Sequence, residues 1–243
     1  MRVLAIDTAT DRGTVAVLSF DEGKGTVLAE ASASVDARHG ETLLPHVEDV
    51  VSRAGGGPRS IELVAVGIGP GSFTGVRVGL ATAKGLALGL SIPLIGVSTL
   101  DVVAAGVEAE EVVVVLSAKK DEVFAARFVR HGGQVRRVGD AIYGAHEAVA
   151  QLLGARPLGA RPGEFLVGIG ARDPRFLAPY GPATLADPAL DLPNARVLAE
   201  LGMRRFSEEG PSDRATLVPL YVRGADAVVP TSLVPFVTPA SER

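Results

Sequence analysis

The chain contains no cysteine. That absence excludes disulfides, thiolate metal sites and a cysteine nucleophile together. Lysine is scarce: Lys24, Lys84, Lys119 and Lys120 are the only ones, and arginine supplies the other cations. Net charge is −4 over 243 residues, so no global basic field draws the protein to nucleic acid or an anionic membrane. The most apolar span, 80–95, is interrupted by Lys84, several glycines and Pro93, which excludes a membrane-spanning segment there. No charged n-region and apolar h-region precede the first strand pattern, and the expected location is cytoplasmic. What remains is an ordinary soluble balance, 47% hydrophobic and 21% charged residues, in a length that allows two modest domains or one large one.

Periodicity predicts strands at 2–7, 14–19 and 26–33, a helix at 41–54, a strand at 63–68, a helix at 73–90, a strand at 92–97 and a short helix at 98–106. In helix 41–54, Leu43, Leu44, Val47, Val50, Val51 and Ala54 share one face, and Pro45 falls in the tolerant first turn. The second half predicts strands at 111–117, 122–130 and 134–138, a helix at 145–153, a strand at 164–169 and a helix at 194–208. Both halves thus read β-β-β-α-β-α. That order is the α/β layout of two ribonuclease-H-like lobes in the actin, hexokinase and Hsp70 superfamily. A boundary near Gly106 gives an N-terminal lobe, 1–106, and a C-terminal lobe, 107–243, whose last helix and tail have room to pack back on the first lobe. The stretches 154–163 and 173–193, rich in Gly, Pro and Asp, are expected as surface loops. The tail after Arg223, with Pro230, Pro235 and Pro239, is expected to lack regular structure beyond a short docked segment.

The glycine-rich stretch 67–79 sits between an apolar strand pattern and a long helical one. A helix N-terminus there would offer unpaired N–H groups and a positive dipole end to an anion. It fits neither common phosphate fingerprint, because no lysine follows before Lys84 and Ser72 stands where a dinucleotide loop needs glycine. Two readings stay open: a phosphate loop, or glycines serving a tight turn and helix packing.

Asp7 ends the first strand, and a turn through Asp11 and Gly13 leads into the second. Such a hairpin wraps phosphates in nucleotide-binding members of the superfamily, yet an aspartate at a strand end is also an ordinary turn cap. The histidines are His39, His46, His131 and His146; only the first two are close, seven residues apart, and they read as solvated or capping groups rather than metal ligands. Ser72 lacks a Gly-x-Ser-x-Gly frame, and no His–Asp partner is visible. The adjacent acids Glu110-Glu111 and Asp121-Glu122 read as exposed strand-end charges, and Lys119-Lys120 and Arg136-Arg137 as solvated ones.

As a specific string, GPGSFTGVRVGLATAKGLA at 69–87 resembles the signature of the TsaB family. VLAIDTAT at 3–10, RHGETLLPHV at 38–47, DEVFAARF at 121–128 and VPLYVR at 218–223 resemble other segments of that family, with Gly40 where its helix start carries serine. The resemblance implies a non-catalytic partner of TsaD, which transfers a threonylcarbamoyl group to the adenosine beside the tRNA anticodon. A separate enzyme would make threonylcarbamoyl-adenylate from threonine, bicarbonate and ATP, and the ATPase TsaE would join the pair. It also implies a heterodimer with TsaD, a homodimer when alone, and tRNA reached only through the complex. No cofactor is expected of the subunit itself, although ADP or ATP at the partner interface is compatible with the family. Where TsaD carries a paired-histidine metal motif, this sequence has Thr99 and Val103, so no metal ligand set and no catalytic residue is expected. Ser98, Thr99 or Asp101 could contact a cation only weakly.

Helix 73–90 is apolar almost all round, with Arg77 and Lys84 its only charges. Such a helix is either buried on several sides or turns one face to a second chain. The family resemblance favours the second chain and implies docking through helices 41–54 and 73–90, with Leu43, Leu44, Val47, Val51, Gly75, Val76, Gly79, Leu80, Ala83 and Leu86 as interface residues. The alternative is an active ATP-dependent small-molecule kinase or acyltransferase of the same superfamily, working through Asp7 and the glycine loop. It needs a second carboxylate as base, for which Asp101 and Asp140 are the only candidates.

Overall fold

The computed structural model describes residues 1–34, 39–119, 121–154, 163–220 and 234–235. The chain divides into unit 1, Met1–Val102 with Pro193–Leu220, and unit 2, Val103–Leu192 with Tyr221–Arg243. The first division falls four residues before Gly106. The segment carrying the last helix belongs to unit 1 rather than to the C-terminal half.

Unit 1 is built on a five-stranded sheet of order β3-β2-β1-β4-β5, comprising β1 (Arg2–Asp7), β2 (Arg12–Asp21), β3 (Lys24–Ser34), β4 (Leu63–Gly67) and β5 (Leu94–Val97). β1 pairs antiparallel with β2 and parallel with β4, and β4 pairs parallel with β5. Alternation along each strand sorts side chains to two faces. Leu4, Ile6, Val15 and Val17 pack under α1 (His39–Ala54), against Leu43, Val47, Val50 and Val51. Val64, Val66 and Leu94 pack under α2 (Phe73–Gly89), against Leu80, Ala83 and Ala87. The last helix, designated α6 (Ala195–Glu209), packs on β1, β2, β4 and β5, and Gly202 lets it approach Ala65 closely.

Unit 2 repeats the order. Its strands are β6 (Glu111–Ser117), β7 (Glu122–His131), β8 (Gln134–Ala145), β9 (Glu164–Val167) and β10 (Thr184–Leu185). The sheet runs β10-β9-β6-β7-β8, with β11 (Val234–Pro235) paired on β8. Antiparallel and parallel ladders match unit 1 strand for strand. The duplicated ribonuclease-H-like order expected from periodicity is therefore present in both units. α3 (Thr99–Ala105) spans the division between the units, and α4 (His146–Gly154) lies in unit 2.

The second helix of the repeat in unit 2 is α5 (Pro174–Tyr180), inside the stretch 173–193 expected as a loop. Asp173 caps it by accepting from the Arg175 amide, and Pro174 occupies the first turn, where a missing N–H costs nothing. Phe176 and Tyr180, four residues apart, bury one face with rings 5.4 Å apart and pack among Val149, Ala150 and Leu153 of α4. Helix 194–208, read from the sequence as the last helix of the second half with room to pack back on the first, is α6 and belongs to unit 1. No helix among the described residues is long and apolar enough to cross a membrane.

Candidate functional site

Asp7 ends β1 opposite Thr14 of β2 and is fully buried. Its Oδ1 accepts the Ala9 amide at 2.7 Å, and its Oδ2 accepts the Thr99 hydroxyl at 3.0 Å. Across the parallel ladder lies Gly67, where a Cβ would stand 1.9 Å from Asp7 Oδ2. The carboxylate thus fills space that any other residue at 67 would take. Burial pushes the Asp7 carboxyl up to about 6, against the lowering effects of the Ala9 and Thr99 hydrogen bonds.

The glycine loop lies directly on the turn that follows β1. The Ser72 amide donates to Ala9 O at 2.7 Å, the Thr99 amide to Gly69 O at 2.8 Å, and the Thr8 hydroxyl to Gly75 O at 2.7 Å. Ser72 caps α2, accepting the Gly75 amide at 3.2 Å. A Cβ at Gly75 would stand 2.0 Å from Thr8 O, and one at Gly79 2.3 Å from Thr8 Oγ1. Of the two readings of this stretch, the contacts support packing. The Ser72 and Gly75 amides are committed to the chain's own oxygens.

These contacts correct the orientation expected for the α2 glycines. Gly75 and Gly79 face inward onto Thr8 rather than toward a partner. Val76, Leu80 and Ala83 are buried, as are Leu43, Val47 and Val51 of α1, while Leu86 is half-buried against the α1 cluster. Of the ten interface candidates, only Leu44 is exposed. Most of the set is core because both helices bury their most regular apolar stripe against the sheet.

The outer face of α2 carries a different stripe: Phe73, Arg77, Ala81, Gly85, Leu88 and Gly89 are exposed. The Arg77 guanidinium lies 3.5 Å from the centroid of the Phe73 ring. A Cβ at Gly85 or Gly89 would meet nothing within 4 Å. Leu88, at 68% exposure, is the most exposed large hydrophobic residue of the helix. α1, with exposed Leu44, packs beside α2.

The other candidates take structural places. Ser98, Thr99 and Val103 are buried, and Asp101 pairs with Arg205 at 2.8 Å. Asp140 is exposed on β8. His131 is exposed and His46 half-buried; the side chain of His39 lies outside the described residues, as do Lys120 and, apart from β11, the tail after Arg223. His146 is buried, its Nδ1 2.9 Å from Asp121 O and its Nε2 3.6 Å from Asp173. Among the described residues no three His, Cys, Asp or Glu side chains converge on a metal position.

Three of the four acids read as exposed strand-end charges are instead engaged, Asp121 with Arg175 among them. Glu111 lies 3.6 Å from Arg127, and Glu122 accepts the Tyr143 hydroxyl. Arg127 itself is buried in β7, paired with buried Glu164 and donating to Leu153 O at 3.1 Å; Glu164 also accepts the Tyr180 hydroxyl. The available sequence signal was a lone arginine within the apolar run of β7, a position where charge demands a partner.

The two units share one α/β strand and helix order, the layout expected from the sequence for the actin and hexokinase superfamily, and the first of them carries the closed Asp7 corner. The family model of TsaD, tRNA N6-adenosine threonylcarbamoyltransferase, matches residues 26–170. The tRNA threonylcarbamoyladenosine biosynthesis protein TsaB of Escherichia coli (strain K12) is 34% identical over 234 residues, covering 92% of this chain and 95% of that one. TsaB of Haemophilus influenzae is 29% identical, covering 92% and 94%. Among solved structures, YeaZ from Pseudomonas aeruginosa superposes with a TM-score of 0.76 at 29% identity, covering 90% of this chain and 99% of that one. The chain belongs to the TsaB family.

Proposed function

We propose that this chain is a non-catalytic subunit that binds TsaD and supports it in forming N6-threonylcarbamoyladenosine on tRNA. Family membership ties it to tRNA threonylcarbamoyladenosine biosynthesis. The observation that carries the non-catalytic reading is the closure of the Asp7 corner by the chain's own Ala9 and Thr99. Each oxygen of this carboxylate already accepts from the chain's own donors and the group is fully buried, so it is held as a turn residue rather than presented to a phosphate-bound metal. The kinase or acyltransferase alternative also loses its second carboxylate, since Asp101 is paired with Arg205 and Asp140 sits on the exposed β8 of unit 2.

In this reading the reacting groups belong to TsaD, and this subunit contributes surface. The outer stripe of α2, with Leu44 of α1 beside it, is the docking face. Small residues at Ala81, Gly85 and Gly89 allow a partner helix to approach closely, and Phe73 and Leu88 supply apolar area at its ends. The same face serves a homodimer when TsaD is absent. TsaE joins the pair, tRNA is reached through the complex in the cytoplasm, and any ADP or ATP lies at the partner interface rather than at Asp7. Two assays test the proposal together: co-purification of the chain with TsaD, and ATP turnover by the chain alone. Expected are a stable pair and no turnover. ATP hydrolysis or transfer by the purified chain would revive the kinase reading.

A further inference from the structure

We infer that segment 211–220 is a strap that holds α2 in place for docking, with Arg214 as its positioning residue at the helix C-terminus. The inference rests on α2 being the docking helix. After α6 the chain forms no helix or strand over 211–220, yet it is stitched to unit 1 along its length. The Ser212 amide donates to Leu94 O at 2.8 Å, and the Ser212 hydroxyl accepts the Gly96 amide at 3.2 Å, so the strap ties to β5. Asp213 then makes a turn, its Oδ1 accepting the Ala215 amide and its carbonyl the Leu217 amide, both at 2.8 Å. That turn sends Leu217 against Gly96 and into the cluster of Leu80, Ala83 and Ala87 beneath α2. The Leu220 amide donates to Ile68 O at 2.8 Å, at the start of the glycine loop that leads into α2.

The C-terminal end of α2 is where support is needed. The last carbonyls of a helix lack helical donors. Gly85 and Gly89 leave the outer face smooth there, but glycine is the weakest helix former after proline. Arg214 Nη1 donates to Ala87 O at 3.1 Å, between those two glycines, and Ala87 O also accepts the Ile92 amide at 3.0 Å. A cation at this end also complements the helix dipole. The strap thus supports from within the turn that the outer face weakens.

The test uses the full chain with Arg214→Ala and Arg214→Lys, reading amide exchange at 88–92, affinity for TsaD and melting temperature. Arg214 is exposed, so both variants should fold and melt close to the parent. Arg214→Ala should speed exchange in the last turn and weaken association about fivefold, the scale of one lost hydrogen bond. Arg214→Lys, which keeps a donor and the charge, should recover most of both. Leu217→Ala should give the same pairing of faster exchange and weaker association, at a lower melting temperature. Unchanged affinity in a folded Arg214→Ala chain overturns the inference. So does weaker affinity with unchanged exchange, which would make Arg214 a direct partner contact. If the parent itself fails to bind TsaD, the docking reading falls and takes the strap's role with it.

Discussion

The Thr8 hydroxyl donates to the Gly75 carbonyl across 2.7 Å, tying the turn after β1 to the first turn of α2. In a nucleotide-binding relative of this fold the same gap would need to admit phosphate. Here the chain's own backbone fills it, so the glycines of α2 are sites of close packing. Gly75→Ala should therefore destabilise unit 1 by about 1–3 kcal/mol, because its Cβ would press on a backbone oxygen that cannot move alone. Gly79→Ala should cost less, since the obstructing atom belongs to the Thr8 side chain, which can shift at the expense of its bond to Gly75 O, rather than to backbone. Urea unfolding of the two variants checks the order; equal stability of Gly75→Ala and parent would contradict it.

The outward glycines should behave in the opposite way. Gly85→Leu meets open space and replaces a poor helix former, so the isolated chain should gain about 0.5–1 kcal/mol. Association with TsaD, and with a second copy, should weaken sharply because a helix pair 8–10 Å apart needs small side chains at the contact. Thermal melts beside a pull-down measure both effects. Full binding by folded Gly85→Leu would remove this stripe as the docking face and leave the exposed side of α1 around Leu44.

Asp7 gives the protein a pH dependence of definite sign. Its carboxyl is raised from 3.8 to about 6, so the folded state holds the proton more tightly than the unfolded state does. The stabilisation from that proton is complete below about pH 3.8 and is lost as pH rises through 6. The shift corresponds to about 3 kcal/mol. Relative to Asp7→Asn, which stays neutral, the parent should lose that much unfolding free energy between pH 4 and pH 7. A difference that stays flat across this range would show that Asp7 titrates normally.

Thr99 and Val103 stand where the resemblance to TsaD would place metal-binding histidines, and Thr99 spends its hydroxyl on Asp7. The purified chain should carry no stoichiometric transition metal. Elemental analysis of tag-free protein reads this directly; near one zinc or iron per chain would contradict it.

How much of this was legible in the sequence differs from element to element. The longer strands of both units were visible as short alternating or continuous apolar runs bounded by turn residues, though β8 extends past 138 and the two-residue β10 and β11 were not anticipated. The shared β-β-β-α-β-α order followed from their spacing. α5 was not, because its Gly- and Pro-rich surroundings masked the Asp173–Pro174 cap-and-first-turn pair that announces it. α6 reads in the sequence as the second helix of the second repeat, yet the room noted for it to pack back on the first lobe is what the structure uses; which sheet a helix covers is a long-range property that sequence order does not carry. The facing of α2 had the same character. Small residues recur on both sides of the helix, at 75, 79 and 83 and again at 81, 85 and 89. Packing of Leu80, Ala83 and Ala87 on the sheet, with Thr8 against Gly75 and Gly79, decides which set is inside. The Asp7 corner was located from its strand end, but its partner Thr99 lies 92 residues away.

The account rests most directly on whether this subunit supplies surface or chemistry to tRNA modification. The deciding measurement is the rate of threonylcarbamoyl transfer to tRNA in a reconstituted system, titrated with parent chain, Asp7→Asn or Gly85→Leu. The docking account expects Asp7→Asn to stay within several-fold of the parent at saturation, and Gly85→Leu to need far more protein to approach the same rate. A loss of about a hundredfold with Asp7→Asn, in folded chain that still binds TsaD, would equal about 2.7 kcal/mol of lost transition-state stabilisation. That result would contradict the account and make Asp7 a catalytic residue.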